Sequence, residues 1–458
     1  MSKDLKKIGM VSLGCPKNTV DSEIVLGSLA DKGYSVTSDE GDADVIIVNT
    51  CGFIDSAKEE SIDAILEMAE YKRKGNCQKL VVMGCLSQRY KDELLKEIPE
   101  IDYLVGAGDF KGVAEMIESK NGIKKSKVRE PVFDFNENTH RVLTTPRYTA
   151  YVKIAEGCSN RCSFCIIPKI RGPFKSRNVD SIVREAEILS DKGVKELNLI
   201  SQDTTMFGAD TGLKNGLSEL LKRLIKIDGV RWIRLLYCYP TFLNDDIIEI
   251  MKNEEKICKY LDLPLQHSHD DILKAMMRQE REGEIRDLIY KIRDAIPDIA
   301  IRTAFIVGFP GETDRHFEHL SSFVKEMKFE HLGVFTYSPE EGTKAAEIPN
   351  HVLEDVKNKR KDAIMEIQKR VSLEKNKKFI GTTQDVIVEE TTGSDEFLIS
   401  GRMQTQAPEI DGVVYIEKSE VRAGDILPVK ITKAMEYDLI GEAVNKVSEY
   451  QRVKVKEL

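Results

Sequence analysis

Short apolar runs that stop at a glycine or a threonine alternate, near the start of the chain, with longer stretches of helical period. Ile8 to Leu13, Val45 to Asn49 and Leu80 to Met83 read as strands, and Ser22 to Lys32 and Ser56 to Lys72 as helices. That alternation predicts a parallel α/β sheet. A polar stretch from Asn121 to about Pro146 interrupts it and reads as an inter-domain linker. Its basic residues, Lys124, Lys125, Lys127 and Arg129, fit a solvated connector better than a polyanion patch. From Tyr148 the pattern resumes. Strands are expected at Tyr151 to Ala155, Val194 to Ile200, Trp232 to Tyr237, Tyr260 to Leu265, Ala300 to Val307 and His331 to Tyr337. Between them lie helical patterns such as Val179 to Lys192, Ser218 to Ile227, Gly283 to Ala295 and Arg315 to Met327. Six such units predict a partial (β/α) barrel, since eight close an ordinary one. A charged helical segment, Leu353 to Lys377, then leads into short β-branched runs at Asp385 to Val388, Val413 to Ile416 and Leu427 to Ile431. These predict a small all-β barrel or sandwich. The fold class is therefore α/β with an all-β C-terminal unit, and the expected domains are 1–125, 140–375 and 379–446.

Composition narrows the setting. A chain of 458 residues that is 41% apolar and 32% charged has room for about three domains. No apolar run approaches the ~20 residues of a membrane-spanning helix, and Met1 to Ile8 is charged with no apolar segment behind it. No membrane association and a cytoplasmic location are expected. Nine cysteines, an odd number, argue for reduced thiols or metal ligands rather than a disulfide framework.

Three of those cysteines follow the first three strands, at Gly14-Cys15, Thr50-Cys51 and Gly84-Cys85. Their spacings of 36 (51 − 15) and 34 (85 − 51) residues match βαβ units and return all three thiols to the carboxyl edge of one sheet. A second group, Cys158-Ser-Asn-Arg-Cys162-Ser-Phe-Cys165, follows the first strand of the barrel-like domain. Three thiolates at this spacing leave one iron of a four-iron cluster open, which is the radical S-adenosylmethionine (SAM) signature. A zinc site would need a fourth Cys or His, and the nearest histidine in sequence is His140. Phe164 is either core or a shield that keeps water from the cluster. Cys77, Cys238 and Cys258 have no comparable partners and read as core thiols.

Glu156-Gly-Cys-Ser-Asn-Arg-Cys-Ser-Phe-Cys-Ile-Ile-Pro-Lys-Ile-Arg-Gly172 resembles the central motif of the methylthiotransferases. Ser12-Leu-Gly-Cys-Pro-Lys-Asn-Thr-Val-Asp-Ser-Glu23 resembles the N-terminal motif of their RimO type, which acts on a ribosomal-protein aspartate. The resemblance spans essentially the whole chain. It implies an N-terminal methylthiotransferase domain, a radical-SAM barrel and a C-terminal TRAM domain. It also implies a second [4Fe-4S] cluster on Cys15, Cys51 and Cys85, S-adenosyl-L-methionine as cofactor, and an electron donor such as flavodoxin or ferredoxin. The implied reaction adds a methylthio group to the β-carbon of an aspartate in small-subunit ribosomal protein S12. The cluster ligands aside, no catalytic side chain is assigned.

Further positions resemble the radical-SAM binding shell. Gln202 and Asp203 end the second barrel strand, where the alternative role is capping a turn. Gln266 and His267 end the fourth, near the expected SAM or acceptor. Arg278, expected on the following helix, is either a carboxylate clamp or a solvated surface charge. Gly308 ends the fifth strand, where the absence of a side chain lets backbone approach the cofactor or simply serves a turn. The acceptor is read from charge as well as motif. Residues 379–445 hold 13 acidic and five basic side chains, a balance of 5 − 13 = −8 within a whole-chain charge of −9. Such a domain disfavours RNA phosphates and attracts a basic ribosomal protein, unless it only aids solubility. A transfer-RNA methylthiotransferase acting on a modified adenosine is the alternative.

Overall fold

Val45–Thr50 is buried along its whole length, as expected of an apolar strand covered on both faces. It lies inside a six-stranded parallel sheet whose order is Ser35–Thr37, Lys7–Ser12, Val45–Thr50, Lys79–Gly84, Tyr103–Val105, Ser126–Lys127. The computed structural model describes residues 6–118, 126–131, 135–390, 399–416 and 421–444. Because the second strand pairs on one side of the first and the third on the other, the chain reverses direction between Lys7–Ser12 and Val45–Thr50. A crevice opens at the carboxyl ends of such a pair. The helix expected at Ser22 to Lys32 begins earlier and spans Pro16–Ala30, with Pro16 pre-set for the first turn.

The central domain is a six-stranded parallel sheet in sequence order: Thr149–Lys153, Glu196–Ile200, Trp232–Leu235, Ile257–Asp262, Ala300–Val307, His331–Thr336. Alternate strand residues such as Leu197, Leu199, Ile233, Leu261 and Phe305 pack with the flanking helices in one large apolar core. The residues between them, Glu196, Arg234, Tyr260 and Arg302, carry polar groups on the opposite face. This is the expected partial barrel. Glu354–Lys377 then leads into a closed five-stranded barrel, Thr383–Glu390, Ile399–Met403, Val414–Ile416, Ile426–Ala434 and Leu439–Ala443.

Two readings change here. The polar stretch after residue 120 is not a free connector. Ser126–Lys127 forms the edge strand of the first sheet. Arg129 pairs with Asp109, and Arg141 is buried between Glu23 and Glu185. Asn121, Lys124 and Lys125 lie outside the described residues. The negative charge of the C-terminal barrel is also partly internal. Glu389 binds Arg402 and Asp411 binds Arg302 and Tyr260. Among its described residues Asp385, Glu409 and Glu442 are exposed and Asp425, Glu436 and Asp438 half-exposed, against exposed Arg422, Lys430 and Lys433, so a smaller negative excess remains at the surface. Asp395, Glu396, Glu417, Lys418 and Glu420 lie outside the described residues. The charge argument for a basic acceptor is correspondingly weaker than the count suggested.

The C-terminal barrel is locked to the central sheet by Glu196. This buried carboxylate accepts from Arg402 at 2.7 Å, Arg234 at 3.0 Å and Thr149 at 3.0 Å. Burial works against its charge, but Arg402 and Arg234 outweigh that and hold its carboxyl down to about 2. Its contribution is therefore complete above the ordinary value of 4.5 and is lost as pH falls toward 2. Arg402→Ala, which leaves Glu196 short of a partner, should destabilise the docking by roughly 3–5 kcal/mol. Amide exchange in 383–443 should speed up at neutral pH while exchange in 7–84 stays unchanged. Equal exchange in the two proteins would contradict this role.

Candidate functional site

Cys15 caps the helix Pro16–Ala30, Cys51 follows Val45–Thr50, and Cys85 opens the helix Cys85–Tyr90 after Lys79–Gly84. The first two therefore sit at the crevice where the chain reverses, and the third at the adjacent strand end. Gly14, at φ 93°, lets their loops meet, because a Cβ there would lie 2.9 Å from the Cys51 Cβ. Asn18 ties all three loops together. Its amide donates to Leu13 O at 2.8 Å and Thr50 O at 3.0 Å, and its Oδ1 is 3.9 Å from the Cys85 Sγ.

The second triad lies at the matching edge of the central sheet. Cys158, Cys162 and Cys165 occupy the loop after Ala155–Glu156, and Asn160 within that loop donates to Asp203 at 2.8 Å. Asp203 also accepts from Thr205 and the Met206 N–H, so it is a turn cap and a brace for the cysteine loop at once. All nine cysteines are free thiols. Burial pushes Cys85 and Cys158 up to about 11 and Cys165 up to about 12. A cationic metal cluster would reverse that preference and stabilise the thiolates.

The triads suit a cluster better than a single zinc ion. Sulfurs at about 2.3 Å from one tetrahedral zinc lie about 3.8 Å apart. The group of three His, Cys, Asp or Glu ligand atoms within 4.8 Å of one another, among the described residues, is instead His269, Asp271 and His316. Those two histidines cap helices. The His269 Nδ1 accepts from the Asp271 N–H and the His316 Nδ1 from the Thr313 N–H, which leaves each neutral ring with its proton on Nε2.

Arg278 departs from expectation. It lies beyond the helix Asp270–Ala275, not on it, and it is buried rather than solvated. Its guanidinium donates to Glu280 and Pro264 O, comes 3.9 Å from the Cys162 Sγ, and stacks 3.9 Å from the ring centroid of Tyr239. His267 is fully buried. Its Nδ1 accepts from the His269 N–H, and its Nε2 is 3.6 Å from Glu312. Burial lowers its pKa despite that neighbour. Glu312 in turn holds the Gly308 N–H and Arg360. Gly308 itself gives room to the side chain of Lys357, whose Cγ would be 2.2 Å from a Cβ. Gln266 adopts φ 71° and bridges to Phe305, Gln202 is half-buried, and Phe164 packs beside Phe309 and Tyr337.

A short helix joins the triads. Ile167–Arg171 begins two residues after Cys165, and Ile166 and Ile170 pack against Cys85 and Phe53. Arg171 at its end donates to Asn18, Asp21 and Glu156. Lys153 completes the network with Asp21 and Glu156. Sequence reading missed this group, although Lys17, Asn18, Asp21, Glu156 and Arg171 all lie inside the two quoted motifs. Lys17 and Tyr237, stacked beside Cys15, were also missed. Burial pushes the Lys17 ammonium down to about 7.

Comparison with known proteins agrees with this architecture. Residues 7–106 match Uncharacterized protein family UPF0004, 152–324 the Radical SAM superfamily and 380–444 the TRAM domain. A solved radical S-adenosylmethionine methyltransferase, TsrM from Kitasatospora setae, shares the fold with a TM-score of 0.54 at 14% identity, covering 85% of this chain and 81% of its own. The ribosomal protein uS12 methylthiotransferase RimO of Pelobacter propionicus is 51% identical over 443 residues, 96% of this chain and 98% of its own. Its namesake in Geobacter sulfurreducens is 51% identical over 97% of this chain and 100% of its own. Identity at that level along nearly the whole of both chains shows the family, and this chain belongs to the RimO-type radical-SAM methylthiotransferases.

Proposed function

We propose that the chain adds a methylthio group to the β-carbon of an aspartate in small-subunit ribosomal protein S12, using two [4Fe-4S] clusters and S-adenosyl-L-methionine. The observation that carries this reading is the pair of three-cysteine edges joined by Ile167–Arg171. Cys158, Cys162 and Cys165 would hold one cluster, and Cys15, Cys51 and Cys85 the other, each with one iron left open. Such clusters supply reductive cleavage of SAM and a place for transferable sulfur, chemistry that no side chain offers at an unactivated C–H bond.

The chain's own residues position and insulate. Arg278 sets a fixed positive charge beside Cys162, while Asn160 and Asp203 brace the loop that carries Cys158. Phe164, Gln202 and Gln266 are proposed to border the SAM site. His267 and Gly308 act one step removed, by holding Glu312 and admitting Lys357. The working domains are 1–127, 140–375 and 379–446, the first extended by its edge strand. Flavodoxin or ferredoxin would supply electrons in the cytoplasm. No helix among the described residues is long and apolar enough to cross a membrane.

Anaerobically purified protein should contain about eight irons per chain. A Cys158→Ala, Cys162→Ala, Cys165→Ala triple variant should keep about half of them, and retention of all the iron would refute the assignment. Anaerobic turnover with ribosomal protein S12 and, separately, with transfer RNA should add methylthio mass to the protein alone. Mass spectrometry that finds the RNA modified and the protein untouched would overturn the acceptor.

A further inference from the structure

Lys17 is a buried lysine with no close ion pair, and Asp262 and Glu156 act on it only from further away. It is 3% exposed, and its ammonium rests 2.7 Å from the ring centroid of Tyr237. Among the described residues it forms no ion pair or hydrogen bond, and the ring face of Tyr237 is its one close partner. The other buried cations around it are matched. Lys153 and Arg171 share Asp21 and Glu156, Arg141 has Glu23 and Glu185, and Arg278 has Glu280. Asp262, at the neighbouring strand end, spends its Oδ2 on the Tyr237 N–H at 2.9 Å. A buried ammonium is strongly unfavourable unless it is paired, and a ring face compensates only in part.

The position of this cation is specific. Lys17 is two residues from Cys15 on the N-terminal side. Its partner Tyr237 follows Trp232–Leu235 at the carboxyl edge of the central sheet, and two residues further on Tyr239 stacks under Arg278, which touches Cys162. The contact between Lys17 and Tyr237 therefore joins the sheet edges that carry the two cysteine triads. Tyr237 is held there at φ 60°, a left-handed conformation that a bulky residue adopts only when its surroundings impose it.

We propose that Lys17, backed by the Tyr237 ring, is a carboxylate subsite that receives the side-chain carboxylate of the acceptor aspartate. This inference rests on the acceptor proposed above. The reacting β-carbon is bonded directly to that carboxylate, so a single ion pair fixes the carbon to within one bond length. The same pair rejects asparagine, whose amide brings no charge to balance the ammonium.

The test is a double-mutant cycle on binding, with anaerobic, cluster-loaded enzyme and a fluorescent peptide carrying the acceptor aspartate of S12 or asparagine in its place. Wild-type enzyme should bind the aspartate peptide roughly 30-fold more tightly than the asparagine peptide, the usual loss when one partner of a buried charge pair is removed. Lys17→Met should lose about the same factor on the aspartate peptide and less than about 3-fold on the asparagine peptide. Iron content and the electron paramagnetic resonance signal of the variant should match the wild type, which a residue that merely offsets cluster charge would not allow. Equal loss on both peptides, or a wild type indifferent to the substitution, would overturn the subsite. If Lys17→Met fails to load iron, the two peptides on wild type decide, with Lys17→Arg expected to keep the preference. A wild type that binds neither peptide and leaves S12 unmodified would instead refute the acceptor itself.

Discussion

The relation between the two cysteine triads depends on one buried ion network, in which Arg171 and Lys153 of the central domain hold Asp21 across the domain junction together with their own domain's Glu156. Two cations and two carboxylates removed from water add little net stability. What they supply is register. Each carboxylate is held by both cations, so the helix Pro16–Ala30 meets the strand Thr149–Lys153 in one position. Because Arg171 also reaches Asn18, that position is transmitted to the loops of Cys15, Cys51 and Cys85.

The fold exploits a shared property of two different parallel sheets. Each presents its loops at the carboxyl edge, so a cysteine after a strand becomes a site residue with no special backbone device. Docking the sheets so that these edges meet brings the two cysteine triads into one region. The C-terminal barrel contributes from elsewhere. Through Arg402 it neutralises Glu196 on the polar face of the central sheet, a carboxylate that would otherwise be buried with Arg234 alone among charged partners.

Much of this was legible in the sequence because it is local. Strand-end cysteines and their βαβ spacing need only short-range patterns, and so does the change of texture after Phe379. The strands Ser35–Thr37, Tyr103–Val105 and Ser126–Lys127 escaped because two or three residues carry no periodicity. Arg278 was misplaced for a related reason, since a polar residue after a short helix looks like its exposed continuation. The ion networks were invisible for a stronger reason. Arg402 lies 206 residues from Glu196, and Arg171 lies 150 residues from Asp21, so only the folded chain shows that these charges meet. His267 and Gly308 were singled out by position alone. Both lie at strand ends where a site is expected, yet their immediate partners are Glu312 and Lys357.

The central claim is that the Arg171 network holds two cluster sites in fixed relation. The most direct measurement is spin coupling between the two reduced clusters, read by electron paramagnetic resonance in wild type and in Arg171→Met loaded to equal iron content. The account predicts a resolved magnetic interaction in the wild type that weakens or broadens in the variant. Two non-interacting signals in the wild type, or a coupling unchanged by the substitution, would contradict it.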